Sequence, residues 1–585
     1  MLRPLALPAA VAALVAAVPA WADNPVELQG VDEETAEQIE AVLPDREAPD
    51  SLFAAERLAA EAADRARAWL RAEGYYAAEV APGADERPHA WVAITPGERF
   101  RLAAPATTFL ETPPSEDART AVEGAVSTLR PEAPARSADI LAAEQAGLAA
   151  LRAAGYPDAA LGEREVIVDH ATRRVSATLR FNAHTPALLG RVTVTPEGVI
   201  RDDLAQRMAP WRPGDRYAPE LLTRLRRNAA ATGAFANVTT ELSAQTNADG
   251  QRDVTLTLEP LERRTIEIGA GYSTTEGAGV DVEWSRRNAA RRAETLTLAG
   301  TLAEARQSAR AQLAIPNATT LGRTTNYVLQ AIREDAGPYD RQALSASWSV
   351  DAAPRRQFGQ QLGLSYGASI SAESYDRAAG VENAYILTTF ADIRRDTTDI
   401  PLDARNGSLL QARIEPSVST GDATIPFVRF IGDARIYETP DFADDVTFAA
   451  RLRVGAVAPV GGESADLPLD RLFYAGGGGS VRGYAYNSIF PENNLLLDEP
   501  PGGRGLIEVS AETRWRIGGG WGVVGFIDGG SAFDEWENAD MRWGAGLGVR
   551  YDLGFAPVRF DIAVPLDARD EDDSFAFYLS IGQAF

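Results

Sequence analysis

The sequence predicts an α+β region of three β-α-α-β-β units followed by an antiparallel transmembrane β-barrel of about 16 strands. Three observations predict it. A helical stretch ending in glycine and an aromatic recurs three times before residue 260. From about residue 263 the hydrophobic period changes to two. The first 22 residues have the form of an export signal, and no later apolar run is long enough for a spanning helix.

Arg3, the apolar run LALPAAVAALVAAV and the small-x-small triplet Ala20-Trp21-Ala22 read as a signal peptide over residues 1–22. Next, ARAWLRAEGYYAAEV ends a helix at Gly74-Tyr75, and LAALRAAGYPDAAL ends one at Gly155-Tyr156. LRRNAAATGAFANVTT does the same at Gly233 and Phe235. The glycines stand 81 and 78 residues apart, each where a helix C′ residue takes a left-handed backbone. An alternating strand follows each, around Val92, Val175 and Val254, and RVTVT opens the third unit. One such helix end is ordinary; three at near-equal spacing make a repeat. The units are assigned to residues 23–100, 101–183 and 184–261.

Residues 262–585 read as strands of about ten residues, apolar on one face and polar on the other. RTIEIGAGYS alternates Ile266, Ile268, Ala270 and Tyr272 with Thr265, Glu267, Gly269 and Gly271. GLIEVSAETRWRI sets Ile507, Val509 and Trp515 against Glu508, Glu512 and Arg514. DSFAFYLSIGQAF puts Phe575, Phe577, Leu579 and Ile581 on one face and ends on Phe585, the pattern of a barrel-closing strand. A soluble β-sandwich would alternate similarly, but with strands of about five or six residues. Strands near ten residues suit a membrane barrel, apolar outward and polar inward.

Composition narrows the function. A net charge of −26 argues against a nucleic-acid partner, since no basic surface could neutralise phosphates. No cysteine is present, so thiol nucleophiles, disulfides and thiolate metal sites are excluded. The three histidines are His89, His170 and His184, which leaves the barrel half without an imidazole base or ligand. No enzyme activity and no cofactor are expected, although carboxylate-only catalysis stays formally open.

GGGGSVRGYAYNSIF lies in a long connection between two strands, from about residue 459 to 504. It lacks the order of a P-loop and of a nucleophile elbow. It reads either as a flexible surface loop or as a loop that places Arg482. Glu512 falls on the polar, lumen-facing side of its strand. Asp528 lies in WGVVGFIDGGSAF, whose faces are both apolar, so the cost of a charge in lipid argues that it points inward. Arg482, lowered from the loop, is suited to bind these acids bidentately.

LPLDRLFYAGGGGSVRGYAYNSIFP resembles the sixth extracellular loop of the BamA/TamA outer-membrane assembly superfamily, the bacterial surface antigens. The signature there is Val/Ile-Arg-Gly-Phe/Tyr, matched by Val481, Arg482, Gly483 and Tyr484. The family's acids fall at Glu512 and Asp528. WRPGDRYAPELLTRLRRNAAATGAFANV resembles the POTRA pattern. RRDTTDIPLDARNGSLLQARIE is similar to a further barrel motif through Asp396, Asp399, Pro401 and Gly407, with Ala404 where proline is expected. Three POTRA-like units match the TamA-like members. The resemblance implies a barrel in the Gram-negative outer membrane, with the POTRA arm in the periplasm. It implies a weakly paired seam between the first strand (Ile266, Ile268, Ala270, Tyr272) and the last. It also implies a TamB-like, inner-membrane-anchored partner on the arm, with autotransporters and other unfolded outer-membrane proteins as clients. A two-partner secretion transporter, a phospholipid-handling barrel and a passive solute channel are the alternatives.

Overall fold

The computed structural model describes residues 25–581, except 275–276, 336–338, 358–359, 378–379, 401, 422–423, 462–466, 492–501 and 555–556. The signal-peptide assignment, Pro401 and Phe585 lie outside the described residues. By compactness the described residues fall into two units: 25–190 with 211–221 and 245–252, and the remainder.

The first α/β module runs β1 (Val26–Gln29), α1 (Glu33–Glu40), α2 (Leu52–Ala72), β2 (Glu79–Asp85) and β3 (His89–Thr95). The Ser51 hydroxyl caps α2 by accepting from the Ala54 amide, and Ala55, Leu58, Ala59, Ala62, Ala66 and Leu70 form its buried stripe. That stripe packs on Val92 and Ile94 of β3, the middle strand of the sheet. Gly74 (φ 95°) ends the helix, and the Tyr75 amide donates back to Leu70 O at 2.8 Å, a Schellman closure.

The second module has β4 (Arg101–Leu102), β5 (Ala106–Leu110), α3 (Glu116–Val126), α4 (Ser137–Ala153), β6 (Ala160–Leu161), β7 (Glu165–Asp169) and β8 (Arg174–Asn182). Its end at Gly155 (φ 101°) repeats the closure, with Tyr156 N donating to Leu151 O at 3.1 Å. It departs from β-α-α-β-β because Pro105 splits the opening strand and β6 adds a further short strand beside β8. The third module has β9 (Leu189–Thr195), α5 (Asp202–Met208), α6 (Pro219–Ala230), β10 (Phe235–Thr246) and β11 (Arg252–Pro260). Its sheet order is β10-β11-β9.

Sixteen antiparallel strands then close a barrel in sequence order. The first eight are β12 (Arg264–Ser273), β13 (Gly277–Arg287), β14 (Thr295–Ala303), β15 (Arg306–Pro316), β16 (Arg323–Asp335), β17 (Asp340–Gln357), β18 (Gln360–Arg377) and β19 (Gly380–Asp396). The rest are β20 (Gly407–Thr420), β21 (Thr424–Glu438), β22 (Val446–Pro459), β23 (Gly505–Gly518), β24 (Trp521–Phe533), β25 (Arg542–Asp552), β26 (Pro557–Pro565) and β27 (Ala576–Ile581). Leu302, Leu344 and Leu547 are exposed on the outside, while Glu415, Glu508, Glu512 and Asp561 are buried inside. That polarity is the reverse of a soluble sheet's and fits a wall facing lipid.

Strand length departs from the ten-residue expectation. β12 and β26 have 10 and 9 residues, whereas β17 and β18 have 18 each. The long pair continues into charged sequence, Arg355-Arg356 in β17 and Asp376-Arg377 in β18, beyond the length a bilayer requires. Leu387, in the middle of outward-facing β19, tests the polarity of the wall. Leu387→Arg is expected to cost about 2–4 kcal/mol, measured as guanidinium unfolding from lipid vesicles. A cost within about 0.5 kcal/mol would remove Leu387 from the lipid face.

Candidate functional site

The described part of the connection from β22 to β23 folds into the lumen as a core of its own. Leu469, Leu472, Phe473, Ala475, Val481 and Tyr484 are buried there with Ile386, Phe427 and Leu506 of the wall. The flexible-surface reading of this segment is therefore wrong for its described part. Gly483 has φ 103°, and a Cβ on it would stand 2.9 Å from the Val564 carbonyl carbon of β26. A Cβ on Gly544 of β25 would overlap the Arg482 carbonyl oxygen. Both glycines let the loop backbone lie directly on the wall.

Arg482 is 1% exposed. Its Nε donates to Asp528 Oδ2 at 2.6 Å and its Nη2 to Asp528 Oδ1 at 2.9 Å, a bidentate pair. The Arg482 amide adds a bond to Asp528 Oδ2 at 3.2 Å. Nη1 donates to Asp561 Oδ2 at 3.2 Å, and lies 2.8 Å from Glu512 Oε1 as an ion pair without hydrogen-bond alignment. The guanidinium stacks 3.5 Å from the ring centroid of Phe526. Burial favours the neutral form of Arg482, but Asp528, Glu512 and Asp561 outweigh it and push its pKa above the ordinary arginine value.

The acids are held in turn by further arginines of the same wall. Arg514 Nε donates to Glu512 Oε2 at 2.8 Å, and Arg550 donates to Asp561. Arg559 Nε lies 3.5 Å from Asp561 Oδ2. Arg482 thus joins β23, β24 and β26 through one guanidinium. The neighbouring loop residues reach further: the Gly483 amide donates to the Tyr578 hydroxyl of β27 at 3.1 Å, and the Tyr484 hydroxyl donates to Trp543 O at 3.2 Å.

Asp561, Tyr578 and Phe526 escaped the sequence analysis. For Asp561 a signal was present: in VRFDIAV it stands between Phe560 and Ile562, which are exposed outside, so period two turns it inward. Phe526 and Val524 made β24 look apolar on both faces, because they too point inward and pack with Ala563, Ala576 and Tyr578.

The seam residues occupy a different place. Ile266, Ile268 and Tyr272 are exposed on the outer side of β12, with Ala270 between. Among described residues β12 and β27 share two register pairs, Tyr272↔Leu579 and Ser273↔Tyr578, against ten between β12 and β13. Thr274 N also donates to Phe577 O at 3.1 Å, and the rings of Tyr272 and Phe577 meet at 5.4 Å. Phe575 precedes the strand, which begins at Ala576, and Leu579 and Ile581 are exposed outward. Asp396 and Asp399 build the turn between β19 and β20, where Asp399 Oδ1 accepts from the Ile400 and Arg405 amides at 2.9 Å each. Gly407 closes that turn with φ 104°.

The model of the Omp85 superfamily domain matches residues 264–585, more than half of the chain. The chain belongs to the Omp85 superfamily. Residues 25–96 match the POTRA domain of TamA domain 1, so the chain is an outer-membrane β-barrel with a POTRA-like α/β region ahead of it. The outer membrane protein assembly factor BamA of Nitratidesulfovibrio vulgaris is 25% identical over 429 residues, covering 70% of this chain and 53% of that protein. The chain thus spans about half the length of that curated relative. The crystal structure of BamA from Haemophilus ducreyi lacking POTRA domains 1–3 shares the fold, with a TM-score of 0.66 at 14% identity. The match covers 82% of this chain and 100% of that one.

Arg482→Ala leaves Glu512, Asp528 and Asp561 facing one another without their common partner. Breaking a buried pair in this way is expected to cost about 3–5 kcal/mol, read as a lower temperature for the loss of the compact barrel band on semi-native gels. Arg482→Lys should not restore the band, because one ammonium cannot reproduce the bidentate contact and the stacking together. Tyr578→Phe strands the Gly483 amide and should cost less, about 1–3 kcal/mol, in the same assay.

Proposed function

We propose that this chain is an outer-membrane protein assembly factor of TamA-like type, and that it inserts autotransporters and other β-barrel clients through the seam between β12 and β27. The carrying observation is the short pairing at that seam, two register pairs among described residues. An edge with open backbone donors and acceptors accepts a client strand by β-augmentation. The short strands beside the seam give a low apolar belt, which favours local thinning of the bilayer. A cavity of about 430 Å³ lies inside the wall at this point, lined by Gly271, Asp281, Arg306, Gly478, Tyr486 and Ser580. It gives an arriving segment room on the polar side of the seam.

No bond-making chemistry is involved in this reading. Energy comes from exchanging unpaired strand edges for paired ones and from burying the client's apolar face in lipid. The POTRA-like arm lies in the periplasm and receives a TamB-like partner anchored in the inner membrane. A passive solute channel is disfavoured because a buried, hydrogen-bonded loop occupies the lumen.

The chain has no cysteine, so a disulfide can be introduced without competing thiols. Tyr272 and Leu579 are register partners across the seam, and such neighbours lie within the Cα span that a disulfide requires. Oxidised Tyr272→Cys/Leu579→Cys protein is expected to lose client insertion in cells deleted for the native copy, and reduction should restore it. The readout is outer-membrane proteomics. Full restoration of the client set by the oxidised barrel would reject the lateral route.

A further inference from the structure

A second buried ionic cluster holds the same loop on the far wall. Glu373 of β18 is fully enclosed; Arg341 Nε of β17 reaches its Oε2 at 2.9 Å, and Arg471 Nη2 of the loop reaches its Oε1 at 3.1 Å. Arg341 Nη2 also lies 3.0 Å from Asp470 Oδ2 of the loop. The Tyr375 hydroxyl sits between Glu373 and Asp470, at 2.8 and 2.5 Å. Further along the loop, the Tyr486 hydroxyl donates to Glu334 Oε1 of β16 at 3.0 Å. Burial pushes the Asp470 carboxyl up, but Arg471 and Arg341 outweigh it and hold it below the usual carboxylate range.

Ring position gives this cluster its meaning. β18 is the seventh strand of the barrel, whereas the Arg482 partners lie on β23, β24 and β26, the twelfth, thirteenth and fifteenth, so the two clusters stand five to eight strands apart in a ring of sixteen, on facing walls. Asp470 and Arg482 are twelve residues apart in sequence, and between them Leu472, Phe473, Ala475 and Val481 are buried in the lumen. We propose that the loop is a strap fastened at both ends across the barrel, with Asp470 and Arg471, clamped by Arg341, Glu373 and Tyr375, as the positioning residues that hold Arg482 in place on the opposite wall.

The contacts of Gly483, Tyr484 and Tyr486 with the wall are single hydrogen bonds, so a loop clamped by an ionic cluster only at Arg482 has more freedom to swing and expose the lumen than one clamped at both ends. The two clusters then act in series. Release of either end frees the strap, and release of the second adds little. This inference goes beyond the assembly reading and does not depend on it, because it concerns the closed state of the barrel without client.

The test is conductance of the purified full chain in planar lipid bilayers, with heat-modifiability on gels to confirm that each variant is folded. Asp470→Ala/Arg471→Ala is expected to raise the time spent open several-fold, to the level reached by Arg482→Ala. Combining all three changes should give no further increase. Asp470→Asn keeps an acceptor for Tyr375 while losing the charge, and a smaller rise is expected; it serves if the double variant does not fold. Folded variants that stay as closed as the wild type would overturn the proposal. So would effects that multiply when combined with Arg482→Ala, because independent contacts combine in that way.

Discussion

A charged guanidinium sealed inside the barrel is the constraint on which the loop's fold depends. Desolvation of Arg482 would cost several kcal/mol if its neighbours did not offset it, and a mismatched lumen would expel it. The surrounding sequence meets this demand at each level. Asp528 supplies the bidentate partner, Glu512 and Asp561 the remaining charge, and Phe526 covers the flat face. Gly483 and Gly544 remove the side chains that would hold the loop off the wall. Three of the strands that follow the loop thereby converge on one residue of a connection that composition alone leaves undecided.

The same demand recurs on the inner wall as a repeated local device. Arg413 and Glu415, Asp433 and Arg435, and Glu512 and Arg514 are each two residues apart on one strand and bonded to each other. Period two puts such a pair on one face, so a strand can neutralise its own lumen-facing charge. Neighbouring strands extend the pairs sideways, through Arg429 to Glu415 and Arg451 to Asp433. Beside the apolar core that the loop builds in the lumen, these pairs hold together the polar part of the inner wall. They fix the register of the wall, since a one-residue slip would turn them into lipid.

Legibility in the sequence followed from period. Alternation was readable wherever a strand had lipid on one side and charge on the other, which covers the barrel and the inward position of Glu512. It failed on β24, where both faces are apolar for different reasons, one facing lipid and the other packed beneath the arginine loop. It was also blind to the far end of the strap. Asp470 and Arg471 sit in a short turn with no period, and their partners Arg341, Glu373 and Tyr375 look like ordinary lumen residues of long strands. Only the closure of the ring brings them together. The helix-ending glycines before the barrel were readable for the opposite reason, since a C′ turn is determined within six residues of one helix.

The seam combines these features unequally. β27 shares two described register pairs with β12 and six with β26, and from inside it is tied to the loop through Tyr578. Its neighbour β26 is tied to the same loop through Asp561. β12 has ten pairs to β13, and among the described residues Arg482, Gly483 and Tyr484 bond to later strands instead. Among the described residues, the bonds made by Arg482, Gly483 and Tyr484 therefore reach the closing strands and not the first one. Separation of the seam costs little backbone pairing, but displacement of β27 breaks the Gly483–Tyr578 bond, whereas displacement of β12 with β13 leaves that bond intact. The asymmetry comes from where the loop is fastened, and it makes the last two strands the fixed side of the seam for as long as Arg482 keeps its acids.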